Sequence, residues 1–152
     1  MKIVLDANIY ISSFFWGGNP KTVLERAISE KDDLFISREI LNEIEDVINR
    51  PKFHAEKDEI KYFIKAIEEI ANIITIKNKL VKGSRDIKDD KYLECAVACN
   101  ADYIISGDIH LLEIKQYKNI KIVTAKEYLE LTPPPIKTNP SAGQAQKKTV
   151  QD

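Results

Sequence analysis

The chain has 152 residues, 43% hydrophobic and 31% charged, which suits one folded domain with a sizeable core and a well-solvated exterior. Its formal net charge is −1, and residues 1–132 alone carry −3, from 20 basic and 23 acidic side chains. Proteins that coat duplex nucleic acid are usually basic, so that role is disfavoured, although a local basic rim around an acidic site is still allowed. Cys95 and Cys99 are the only cysteines, spaced i, i+4 in a helical pattern, and read as reduced packing residues rather than a disulfide framework or a zinc site. The amino terminus does not have the form of a signal peptide, and no apolar run approaches the ~20 residues needed to span a bilayer. A cytoplasmic location with no membrane partner is the expectation.

Residues 2–6 form an apolar run ending on Asp6 and predict a first strand. Residues 12–19 read as a loop, with Gly17, Gly18 and Pro20 as turn material. Residues 21–30 predict a helix with Val23, Leu24, Ala27 and Ile28 on one face. Leu34 to Ile36 is a second strand. Ser37 is a good N-cap for a helix whose apolar stripe is Ile40, Leu41, Ile44, Val47 and Ile48, ended by Arg50-Pro51. Residues 57–71 carry another helical stripe, Ile60, Phe63, Ile64, Ile67 and Ile70, and residues 73–76 a third strand. A basic connector over residues 77–88 leads to Asp89 and Asp90, which open a helix running to Cys99. Strands over 103–106 and 120–124 follow, with short helices at 111–115 and 125–131. Pro133, Pro134 and Pro135 stop the last helix, and the polar composition beyond them predicts a disordered tail. The expected division is a domain over 1–132 and a tail over 133–152.

Strands alternating with helices imply βαβ units, a parallel sheet and helices on both faces, that is, a three-layer α/β/α sandwich. In such folds ligands bind beyond the carboxyl ends of the strands. Asp6 and Asp108 follow the first and fourth predicted strands. Asp89 and Asp90 open the helix feeding the fourth, and Glu43 lies less than two turns into the helix after the second. Four segments can therefore bring acids to one rim. Clustered carboxylates repel and take up protons unless a cation sits among them. All-oxygen donors without His or Cys suit Mg²⁺ or Mn²⁺. Such an ion polarises a phosphoryl oxygen and activates water, which points to phosphodiester hydrolysis. The ordinary alternative is that these acids are helix caps and solvated surface. It weighs most at Glu43, because Glu45 flanks the apolar stripe equally well, and least at Asp6, because an acid ending a core strand is costly unless used or paired.

Asp6-Ala7-Asn8 with Ser12 resembles the D-x-N-x-x-x-S opening of the PIN domain family. The stretch Ser37 to Ile44 is similar to that family's second acidic motif and puts its acid at Glu43. Arg50-Pro51-Lys52-Phe53 fits the branch of PIN proteins assigned as toxins of toxin–antitoxin systems, the VapC-like toxins. Asp89 to Ala96 resembles the third motif, with Asp90 as the matching acid, and Ala101 to Asp108 the fourth, with Ser106 and Asp108 in its working positions. The resemblance spans Met1 to about Leu131, with all four motifs in order. It implies a five-stranded parallel sheet and a metal-dependent endoribonuclease in which Asp6, Glu43, Asp90 and Asp108 bind Mg²⁺ or Mn²⁺ and do the chemistry, supported by Asn8, Ser12 and Ser106. It implies RNA as substrate and an antitoxin as partner. His110 is a departure, since many relatives carry another acid there, and it reads as a plain surface residue.

The connector residues Lys77, Lys79, Lys82, Arg85 and Lys88 suit either RNA phosphates or a solvated loop. Phe14, Phe15 and Trp16 suit base stacking, loop packing or a dimer surface, so a homo-oligomer is among the expected partners. Lys57, Lys61 and Lys65 read as solubility patterning, and Asp86, Asp89 and Asp102 as surface or capping acids. Three rival functions stand beside the toxin reading: an RNA-maturation nuclease without an antitoxin, a non-catalytic RNA-binding module, and a phosphatase with Asp6 as nucleophile. The intact acid quartet disfavours the module, and the lack of a second Asp at position 8 disfavours the phosphatase.

Overall fold

The computed structural model describes residues 1–77 and 90–133. Its strands are β1 (Lys2–Leu5), β2 (Asp33–Ser37), β3 (Asn72–Ile74), β4 (Tyr103–Ile105), β5 (Gln116–Tyr117) and β6 (Ile120–Val123). Its α-helices are α1 (Ala7–Phe15), α2 (Gly18–Ile28), α3 (Arg38–Ile48), α4 (Lys57–Ile70), α5 (Asp90–Cys99), α6 (Ile109–Leu112) and α7 (Ala125–Leu131), with a 3₁₀ turn over Pro51–Phe53. Most of the basic connector and nearly all of the tail, including Lys79, Lys82, Arg85, Asp86, Lys88 and Asp89, lie outside the described residues.

The sheet order is β3-β2-β1-β4-β6-β5. Every pairing is parallel except β5 with β6. β1 and β4 are neighbours, with Leu5 opposite Ile105. Chain order runs outward in opposite directions from this pair, which makes the space beyond their carboxyl ends a topological switch point. Both strands are buried, as a central parallel pair with covered faces requires: Ile3, Val4, Leu5, Ile104 and Ile105 are at most 1% exposed. Helix α5 packs over β1, β2 and β4, while α1 packs on α2 and α3 and α2 on α7.

Each helix near the switch point begins for a local reason. Ser37 accepts the Ile40 N–H and caps α3 as expected, and Ile40, Ile44 and Ile48 are fully buried at i, i+4 spacing. Each such side chain contributes about 1.5–3 kcal/mol by leaving water. Asp6 caps α1, accepting from the Asn8 N–H.

Three expectations need correction. The sheet has six strands, not five: Gln116 and Tyr117 turn back through Lys118, which has a left-handed backbone, and pair antiparallel with Lys121 and Ile120. Residues 12–15 are helical rather than loop, because Phe14 and Phe15 pack on Phe63 and Phe53 at ring separations of 4.9 Å. The break comes at Gly17 and Gly18, both at positive φ, and α2 starts there, three residues before the predicted position. The remaining differences are shifts of one to three residues at element ends.

Candidate active site

Asp6 stands one residue beyond β1. Its backbone N–H donates to the Ile105 carbonyl at 2.9 Å, extending the β1–β4 ladder. Its side chain, 4% exposed, is held from two sides. The Ser106 hydroxyl donates to Oδ2 at 2.6 Å and the Asn8 N–H to Oδ1 at 3.2 Å. Ser106 also accepts from the Asp108 N–H at 2.9 Å. One fully buried hydroxyl therefore ties the residue after β1 to the turn after β4. Burial raises the Asp6 carboxyl above its ordinary range. The bonds from Ser106 and Asn8 and the nearby Tyr92 hydroxyl pull it back, and the Glu43 charge adds to the rise.

Glu43 reaches this centre from α3 through a residue that sequence reasoning did not single out. The Tyr92 hydroxyl, from α5, donates to Glu43 Oε1 at 2.5 Å and accepts the Ala7 N–H at 3.1 Å. Burial, and then the Asp6 and Glu43 charges, push the phenol upward, so it stays protonated and remains a donor. Lys91 Nζ lies 3.4 Å from the same Glu43 oxygen and 5.4 Å from the Tyr92 ring centroid. Glu45, the alternative acid by periodicity, is exposed. The signal that could have found Tyr92 is a tyrosine on the helix face that also carries Cys95, Ala96 and Cys99, since a buried phenol usually seeks a polar partner.

Asp90 begins the described part of α5, and its Oδ1 is buried with no hydrogen-bond partner among the described residues. A buried orphan carboxylate oxygen is costly. Asp108 is half-buried and spends Oδ1 capping α6, accepting from the His110 N–H at 2.9 Å. His110 itself is exposed, as expected. Asn8 is exposed and meets Asp6 through its backbone rather than its amide. Ser12 is half-buried on α1, and no bond joins its hydroxyl to the acids among the described residues. The structure thus joins Asp6 directly to Ser106 and, through Ser106, to the Asp108 backbone, and it joins Glu43 through the Tyr92 hydroxyl to the N–H of Ala7, the residue after Asp6. It leaves the Asn8 amide and the Ser12 hydroxyl unlinked to them. Among the described residues no three His, Cys, Asp or Glu side chains stand close enough to hold an ion between them.

Other sequence-level readings resolve simply. Cys95 and Cys99 are buried free thiols, pushed up to about 12 and about 11, chiefly by burial. Trp16 is 72% exposed at the end of α1, while Phe14 and Phe15 are packing residues. Lys57, Lys61 and Lys65 are exposed on α4. Asp102 lies at the opposite edge of the sheet, where Oδ2 accepts the Lys2 N–H at 2.9 Å. No helix among the described residues is long and apolar enough to cross a membrane.

Comparison with known proteins agrees with this geometry. Residues 2–110 match the family model of the PIN domain. No curated protein matches the chain. Among solved structures the fold resembles a chain of VapBC2 from Rickettsia felis, in the crystal structure bound to a DNA fragment from their promoter. The TM-score is 0.58 at 17% identity, covering 80% of this chain and 97% of that one. At that identity the likeness is one of fold.

Proposed function

We propose that this chain, which belongs to the PIN domain family, is a Mg²⁺- or Mn²⁺-dependent endoribonuclease and the toxin of a toxin–antitoxin pair. PIN domains are generally nucleases; the metal, the RNA substrate and the toxin role are the proposal. The observation that carries it is the buried Oδ1 of Asp90, which has no hydrogen-bond partner among the described residues, on the helix that also carries Tyr92. An orphan anion oxygen calls for a cation. The donor set Asp6, Glu43, Asp90 and Asp108 is all oxygen, which fits Mg²⁺ or Mn²⁺ and does not fit a softer metal.

When bound, such an ion polarises the phosphodiester and lowers the pKa of a water for in-line attack. In this reading Asp6, fixed by Ser106 and by its place at the end of β1, is the rigid acid. Glu43 and Asp108 are both part-exposed, so an ion can reach them. Ser106 orients Asp6 and holds the turn carrying Asp108. Asn8, Ser12 and the basic side chains from Lys77 onward hold or orient the RNA backbone. An acidic rim excludes phosphate until a cation is present, so binding of metal and of RNA should be interdependent.

The antitoxin assignment rests on the toxin-like stretch Arg50-Pro51-Lys52-Phe53 and on the fold shared with a VapBC2 chain. A basic side chain of such a partner can occupy the place of the ion and silence the site. Location in the cytoplasm and assembly as a dimer belong to the same proposal. The test is incubation of the purified chain with total cellular RNA and Mn²⁺, with a chelator control and mapping of the new ends. Discrete metal-dependent ends support the nuclease; RNA binding without cleavage favours the non-catalytic module. Growth arrest on expression, relieved by a co-purifying neighbouring gene product, separates the toxin from an RNA-maturation enzyme.

A further inference from the structure

We propose that Tyr92 is a positioning residue of this site: its hydroxyl clasps Glu43 of α3 to the start of α1 beside Asp6, so that the two carboxylates are held at a fixed separation for one cation. The inference rests on the metal-nuclease reading above and adds a residue to it.

Three segments far apart in sequence meet at the Tyr92 oxygen. It accepts the Ala7 N–H at 3.1 Å and gives its single proton to Glu43 Oε1 at 2.5 Å. The ring is 2% exposed, so the hydroxyl cannot swing away to water. Two buried or half-buried carboxylates repel, and Glu43 is close enough for its charge to be felt at Asp6. A short bond from a neutral phenol to a carboxylate is charge-assisted and can hold one acid near another without adding a competing positive charge.

The pattern of use at Glu43 supports this further. Oε1 takes both the Tyr92 hydroxyl and Lys91, the latter at 3.4 Å. Oε2 takes no hydrogen bond among the described residues. Glu43 is thus anchored by one oxygen and keeps the other for a cation.

A simple helix-capping role accounts for less. Asp6 already caps α1 through the Asn8 N–H. The phenol also donates to Glu43, on a different element, α3. Phenylalanine would fill the same space, so packing alone does not call for the hydroxyl.

The test uses the full-length chain and Mn²⁺ alone as the probe, by titration calorimetry. Tyr92→Phe should fold, and its affinity for Mn²⁺ should fall by about 10–100-fold, the usual effect of removing a group that orients a metal ligand. Its cleavage rate should recover as Mn²⁺ is raised, with KM for RNA little changed. Tyr10→Phe is the control, because that hydroxyl is equally buried but has no hydrogen-bond partner among the described residues; its Mn²⁺ affinity should match wild type. A folded Tyr92→Phe that binds Mn²⁺ as wild type does overturns the positioning role and leaves the metal reading intact. A wild type that binds no Mn²⁺ overturns both.

If Tyr92→Phe does not fold, the wild type labelled with 3-fluorotyrosine decides. The chain has 6 tyrosines, and the Tyr92 resonance is to be assigned as the one that Glu43→Gln moves most. Saturating Mg²⁺ should move that same resonance. A resonance unmoved by Mg²⁺ that does bind would overturn the clasp.

Discussion

Replacing Asp6 with Asn removes one negative charge from a side chain that is 4% exposed while keeping its shape. The local bonds can survive. Asn Oδ1 still accepts the Asn8 N–H, and Asn Nδ2 can donate to the Ser106 hydroxyl, which reverses the direction of the 2.6 Å bond. What disappears is the cost of a buried anion, since burial is the leading cause of the raised Asp6 carboxyl. The sign follows from linkage. Below the ordinary value of 3.8 the folded and unfolded chains both hold the proton, and the anion costs nothing. As pH rises through the window between 3.8 and the higher folded value, wild type loses stability, and above that window the loss is constant. For a domain of this size 1 kcal/mol moves Tm by roughly 2–4 °C. Without metal at neutral pH, Asp6→Asn should therefore melt above wild type, and the gap should close on acidification. With Mn²⁺ at a hundred times its dissociation constant the order should reverse. Binding adds about 2.7 kcal/mol to wild type, or roughly 5–10 °C, and little to the variant. Cleavage by the variant should fall at least ~100-fold, with unchanged circular dichroism. Differential scanning fluorimetry across pH and Mn²⁺ concentration reads the first two effects, and a labelled-RNA assay the third. An Asp6→Asn protein that melts below wild type at neutral pH and gains as much from Mn²⁺ would refute both the buried-anion argument and the ligand role.

Asp102→Asn is the matched control: its carboxylate bonds the Lys2 N–H at the far edge of the sheet, so cleavage should stay within about threefold of wild type, a difference under 1 kcal/mol. Ser106→Ala strips the donor from Asp6 and the acceptor from the Asp108 N–H. It should cost about 1–3 kcal/mol of stability in a urea melt and weaken Mn²⁺ binding by calorimetry. Truncation after Pro133 should leave the melting curve and metal-dependent cleavage unchanged. Ending the chain at Leu131 should lower Tm, because Arg26 Nη1 bonds both the carbonyl and the hydroxyl of Thr132 at 2.7 and 3.0 Å.

The elements that position the site were legible where the chain states its own pattern. An apolar run ending on an acid marked β1 and Asp6, and the run before Ser106 marked β4 in the same way. Ser37 announced the start of α3. The adjacency of β1 and β4, which turns two strand ends into one site, is not a local property. It follows from which way each crossover folds, and only the Leu5–Ile105 register shows it. β5 escaped notice because two residues carry no period. The helical state of residues 12–15 depends on Phe53 and Phe63, 38 and 49 residues beyond their partners Phe15 and Phe14, against a glycine pair that argued for a loop.

At the site, helical periodicity could not separate Glu43 from Glu45. The residue that separates them is Tyr92, which lies on another helix and selects Glu43 with a single proton. Tyr92 is hard to read from sequence for a physical reason. Its ring obeys the apolar pattern of α5, and its function lies in one oxygen at the end of that ring. A residue of this kind satisfies the rule for the core and the rule for the site together, so neither pattern flags it. Such residues become visible only when the partner of a buried hydroxyl is known, and here that partner is a candidate metal ligand.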